Sequence, residues 1–186
     1  MPEPGKGGLA AALGEQWPSY VAYVVSFATI GIMWVNHHAV LDQVARADRR
    51  LLYRNLVLLL FVGLLPWPTN LVATYMREGG DAERIAALVY AGTLVAIGLG
   101  FSLTWTYVAR RTYLLEPGVQ LPPARSRRFV VGAPMYLVAM LAALVSAPLS
   151  VAITGAIAVY YALPGGGAML TGDERDGHAR RTAPDA

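Results

Sequence analysis

The sequence contains no cysteine, which excludes disulfides and thiolate metal sites while leaving the compartment open. Charge is scarce: Asp, Glu, Lys and Arg make up 15% of the 186 residues, against about a quarter in an ordinary soluble domain. It is also confined. None of these four residue types occurs within 16–41, 55–76, 85–109 or 129–163. Other absences narrow the function. There is no Ser/His/Asp grouping, no His-Glu-x-x-His and no pair of carboxylates inside an apolar stretch. Gly165-Gly166-Gly167 lacks the preceding strand and the lysine of a phosphate loop. Neither an enzyme nor a cofactor is expected. Secondary transport is disfavoured too, since only His37 and His38 could couple a proton gradient within these windows.

What is present is apolar: 55% of the chain is hydrophobic, and the mean hydropathy is +0.44. About 20 apolar residues suffice for one helical passage of a bilayer, so the charge-free windows read as transmembrane helices. The window 129–163 is too long for one passage, and "SAPLS" at 146–150 divides it, with Pro148 suited to the first turn of a new helix. The expected fold is an all-α integral membrane protein, a bundle of about five transmembrane helices over 17–40, 51–75, 85–109, 129–146 and 148–163. The first window is no cleavable signal peptide, because it is too long and lacks a basic flank and a small-residue cleavage pattern. The Pro/Gly-rich residues 1–8 and the mixed-charge tail 164–186 are expected to be disordered.

A net charge of +3 and a pI near 9.3 follow from arginines in short loops, so no nucleic-acid partner is inferred. Arg46, Arg49, Arg50 and Arg54 surround the loop after the first span, and Arg110, Arg111, Arg125, Arg127 and Arg128 follow the third. The loop between the second and third spans is less positive. The positive-inside rule places the basic loops and the C-terminus in the cytoplasm. Arg46, Arg49, Arg50 and Arg54 are read as topology determinants, with contact to anionic lipid headgroups as a compatible role. Pro66 and Pro68 are expected to kink the second span. Gly92, Gly98 and Gly100 permit close helix contact in the third.

The first span closes on "WVNHH", 34–38. Adjacent histidines on a helix point about 100° apart, so His37 and His38 cannot grip one ion together. His38 and Asp42 have an i, i+4 spacing, but two ligands make a poor site, and no metal is expected. Two readings stay open: an interfacial histidine pair, or an interhelical hydrogen-bond network in which Trp34 and His37 share a face, with Asn36 and His38 as further polar contacts. Ser26, Thr29, Ser102, Thr104 and Thr106 are expected to bond to a preceding turn or another helix.

"EQWPSYVAYVVSFATIGIMWVNHH" followed by "RADRRLLYRNLVLLLFVGLLPWPT" resembles the bacterial branch of the transmembrane protein 175 family. The W-x-x-H of Trp34 and His37, the arginine-rich turn and the L-P-x-P-T bend carry the likeness together, and it extends more weakly to about residue 163. The resemblance implies a six-helix subunit forming a homotetramer around a pore for potassium ions, in a lipid bilayer and here in a bacterial plasma membrane. It also implies a first helix that lines the pore and carries R-x-x-x-F-S-D, opposite Trp34 and His37. No F-S-D occurs in this chain, so the expectation is a subunit that begins after that helix. No pore-lining residue is assigned. The alternative is a non-conducting scaffold or accessory subunit.

Overall fold

The computed structural model describes residues 14, 16–76, 78–115 and 123–163. The two terminal segments expected to be disordered lie outside these residues. Helix α1 spans Trp17–Leu41 and carries Pro18 in its first turn, where a missing N–H leaves no bond unmade. Helix α2, Arg49–Leu64, starts at Asp48, whose carboxylate accepts the N–H of Leu51 at 2.8 Å and so satisfies an otherwise orphaned donor.

Pro66 and Pro68 interrupt the helix because neither has an N–H to offer the preceding turn. The N–H of Leu65 reaches only three residues back, to the Val62 carbonyl at 3.2 Å. Thr69 then gives the Leu65 carbonyl both its N–H, at 3.2 Å, and its hydroxyl, at 2.9 Å. Helix α3 resumes over Pro66–Tyr75, and 49–75 remains one bent apolar passage of 27 residues.

The turn into α4, Gly80–Ala109, uses Gly79 and Gly80 at φ 71° and 69°, a left-handed region that glycine enters without a Cβ clash. Asp81 and Glu83 in the first turn of α4 complement its dipole. A single 3-10 turn, Thr112–Leu114, follows. Helix α5 spans Pro123–Ala143, and α6 spans Ala147–Ala162. Ser146 caps α6 by accepting the N–H of Leu149, with Pro148 in its first turn. Helices α4 and α5 begin before their charge-free windows, at 80 and 123 rather than 85 and 129. Backbone hydrogen bonding does not stop where the bilayer's apolar core does, so charged residues continue the helix.

At 30 residues, α4 is about 45 Å long and forms the axis of the bundle, packing against α2, α3, α5 and α6. Helix α1 lies against α3 and α6. Within α4, Gly98 and Gly100 make the closest approaches of any glycine to a neighbouring helix. A Cβ on Gly98 would stand 3.0 Å from the backbone N and Cα of Ala133 in α5, and one on Gly100 would stand 3.0 Å from Leu58 in α2. Gly92, by contrast, has only ordinary contact with Met140. The core joins Met33, Leu58, Leu65, Tyr90, Leu94, Ile97, Tyr136 and Ile157 across the passages.

The loop after α1 and the turn after α4 meet at one end of this bundle. Val44 and Leu115 form an isolated antiparallel bridge, and the N–H of Ala45 reaches the Leu114 carbonyl at 2.9 Å. The outside is as apolar as the inside: Tyr23, Phe27, Leu52, Leu56, Leu60, Trp67 and Leu103 are all exposed. Helices α1, α2–α3 and α4 are each long and apolar enough to cross a membrane, whereas α6 and the apolar part of α5 are shorter. So extensive an exposed apolar surface is unsuited to water. This is an integral membrane protein.

Candidate functional site

The helix twist separates the residues of WVNHH. Along an α-helix, positions four apart are about 40° from alignment and positions three apart about 60°. Trp34 accordingly pairs with His38, not with His37: the rings stack with centroids 5.2 Å apart and planes 5° apart. Trp34 is 63% exposed. His38 also faces Asp42, 3.5 Å away, on the surface. His37 turns inward, where its Nε2–H donates to Oδ1 of Asn55 in α2, and its ring meets the edge of Phe101 in α4. Asn36 gives its amide to the Ile32 carbonyl of its own helix at 2.7 Å. Within this chain Trp34 and His37 thus have different partners, and among the described residues only His37 of the WVNHH stretch makes an interhelical hydrogen bond.

Asn55 escaped the sequence reading because no spacing rule links it to His37, 18 positions away. The available signal was a primary amide inside "RNLVLLL", a group that needs a partner within a bilayer. The hydroxyls divide as well. Thr29 and Ser102 bond to carbonyls four residues earlier, but among the described residues the buried Ser26 and Thr104 hydroxyls have no hydrogen-bond partner.

A cleft of about 50 Å³ between α1, α4, α5 and α6 is lined by Thr29, Met33, Asn36, Phe101, Tyr136 and Tyr161, among others. Thr29 and Asn36 each donate a hydrogen bond within α1 itself, and the walls are chiefly apolar. Such a volume holds one or a few water molecules, not a conduction path. No group of three or more His, Asp or Glu side chains suitable for a metal ion occurs among the described residues.

A larger polar constellation lies at the basic end. Asp48 receives the hydroxyls of Tyr107 at 2.6 Å and Tyr113 at 2.7 Å on one oxygen and the N–H of Leu51 on the other. The Tyr107 bond, then the Leu51 and Tyr113 bonds, hold the Asp48 carboxyl down from 3.8 to about 2. The guanidinium groups of Arg54 and Arg111 each lie 4.7 Å from the centre of the Tyr107 ring. One carboxylate thus ties the start of α2 to the end of α4 and the turn beyond it.

A group whose pKa falls on folding stabilises the fold fully above its unfolded pKa, and that contribution is lost as pH falls through the folded value. The Asp48 contribution is therefore complete above 3.8 and lost toward about 2. Asp48→Asn is expected to lower the melting temperature by a constant amount from about pH 5 upward, with the gap closing in strong acid. Melting curves of both proteins in detergent test this; a gap that closes near neutrality would contradict it.

Arg50 and Arg54 face the same groove as Arg110 and Arg111, while Arg49 lies over Tyr53 at 5.6 Å and Arg46 is exposed. The four arginines grouped by sequence around the first loop therefore divide: Arg50 and Arg54 share the groove, and Arg46 and Arg49 lie outside its lining.

The family model described as the endosomal/lysosomal potassium channel TMEM175 matches residues 1–66. A protein of Streptomyces collinus named as a potassium channel is 49% identical over 159 residues, covering 84% of this chain and 77% of the relative. The mouse endosomal/lysosomal proton channel TMEM175 is 32% identical over 114 residues, 61% of this chain but 23% of that protein. Among solved structures, the crystal structure of a lysosomal potassium-selective channel TMEM175 homologue from Chamaesiphon minutus superposes with a TM-score of 0.68 at 38% identity, covering 83% of this chain and 78% of that one. Sequence likeness over most of both bacterial chains, with the same helical architecture, means that this chain belongs to the TMEM175 family.

Proposed function

We propose that the chain is a subunit of a potassium-permeable channel of the TMEM175 type, working as a homotetramer in a bacterial plasma membrane. The observation that carries this reading is the 49% identity to the Streptomyces collinus potassium channel over 84% of the chain. The small apolar cleft within the bundle and the exposed aromatic residues of α1, Tyr23 and Phe27, favour an ion path between copies. The basic loops that meet through Val44 and Leu115 face the cytoplasm, and with them the end of α6 and the C-terminus. A cysteine placed at Ala45 in this cysteine-free chain should then react with an impermeant maleimide only after the cells are opened.

Reconstitution of the 186-residue chain into potassium-loaded liposomes tests the function. The expected result is a protein-dependent potassium efflux that exceeds sodium efflux. A folded, membrane-inserted protein that leaves the liposomes tight would overturn the reading in favour of a non-conducting accessory subunit.

A further inference from the structure

Four arginines line one groove at the basic end of the bundle. Arg50 and Arg54 come from the first turns of α2, Arg110 from the end of α4 and Arg111 from the turn after it. Leu103, Thr106, Tyr107 and Tyr113 complete the lining, and the volume is about 570 Å³. So much like charge in one concavity is costly without an anion. The Asp48 carboxylate, whose charge acts on Arg111, offsets only part of it: its oxygens accept hydrogen bonds from Tyr107, Tyr113 and Leu51 and it forms no ion pair with any of the four. The ion pairs found among the described residues, His38–Asp42 and Arg84–Asp81, involve none of the four.

Aromatic rings hold these guanidinium groups in place. Arg54 and Arg111 lie over Tyr107, and they also reach the Leu103 carbonyl at 3.4 Å and the Tyr113 hydroxyl at 3.2 Å. Each guanidinium has five N–H donors, so most of their hydrogen-bonding capacity is unspent. Arg50 adds a positive charge in the first turn of α2, where the helix dipole already disfavours it. An anion in the groove removes both penalties, and phosphate oxygens suit the guanidinium fork better than they suit a point charge.

Below the groove the surface turns apolar along the same helix faces. Val57 follows Arg50 and Arg54 on α2, and Leu103 and Leu99 precede Tyr107 at four-residue steps on α4; Val57, Leu99 and Leu103 are about half exposed or more. A phosphate site continuous with an apolar track fits a molecule with a phosphate head and hydrocarbon chains.

We propose that the groove between α2 and α4 is a binding site for an anionic phospholipid, its headgroup phosphate held by Arg50, Arg54, Arg110 and Arg111 and its acyl chains laid along Val57, Leu99 and Leu103. The site is separate from ion conduction and stands whether or not the chain passes potassium.

Native mass spectrometry of the full chain, purified in zwitterionic detergent and offered phosphatidic acid or phosphatidylcholine, tests the assignment. Phosphatidic acid should be retained in preference to phosphatidylcholine. Arg50→Gln with Arg110→Gln, which spares both arginines stacked on Tyr107, should weaken that retention about tenfold or more, taking about 1 kcal/mol per basic residue at a membrane surface. Arg46→Gln with Arg49→Gln, outside the groove, should leave it within about twofold. The same change produced by both pairs, or equal retention of the two lipids, would overturn the proposal. Millimolar inorganic phosphate serves as the second arm: failure to displace the lipid supports a lipid site, whereas full displacement identifies a soluble phosphate as the ligand and overturns the lipid assignment. Melting temperatures of both double variants confirm that loss of retention is not loss of fold.

Discussion

Gly98→Leu is expected to destabilise the protein by about 2–3 kcal/mol, lowering its melting temperature by roughly 4–10 °C, because the side chain has nowhere to go. Even a Cβ at this position would meet the Ala133 backbone at 3.0 Å and the Gly132 carbonyl carbon at 3.3 Å. Those atoms belong to α5, so relief requires moving a helix, not rotating a side chain. Gly155→Ala is the matched control. Nothing lies within 4 Å of its added Cβ, so the gain in helix propensity should stabilise by about 0.5–1 kcal/mol. Thermal melts in detergent decide the matter. If Gly98→Leu melts with the parent, α4 and α5 do not pack as described.

The second large effect is expected at the one interhelical hydrogen bond of WVNHH. His37→Leu leaves the Asn55 amide without its partner, and Asn55→Leu does the same to His37. Each single substitution should cost about 0.6–2 kcal/mol, the range for polar pairs between membrane helices. Replacing both removes donor and acceptor together and should recover most of that loss. A double-mutant cycle in thermal or denaturant unfolding then gives a coupling energy of about the same size. Strictly additive single effects would show that the bond contributes nothing.

These two sites differ in how visible they were. The charge-free windows, the Pro66–Pro68 interruption and the Ser146–Pro148 restart can all be read along the chain. Each depends on bonds within a few residues: an absent proline N–H, a hydroxyl cap, a backbone that must satisfy itself where water is absent. Gly98 and Gly100 were visible as small residues in an apolar helix, but so was Gly92. Only the helix faces in contact distinguish the two close approaches from the ordinary one.

The WVNHH stretch shows the same limit. Spacing allowed Trp34 to share a face with His37. The structure instead stacks Trp34 on His38 and sends His37 to Asn55. The arginine groove joins residues from positions 50 to 113, a distance no local pattern bridges.

The sequence by itself determined that the chain is helical, that it lives in a membrane, where its helices break and which loops lie at the basic end. Those properties follow from local backbone bonding and from the cost of placing charge in hydrocarbon, both legible residue by residue. The tertiary structure alone decided which side of each helix faces its neighbours. In a bilayer the lipid-facing side is as apolar as the core, so no hydrophobic stripe marks the inner face. That choice rests on the fit of small residues such as Gly98 and on a few polar pairs such as His37–Asn55, whose partners become apparent only when the helices meet.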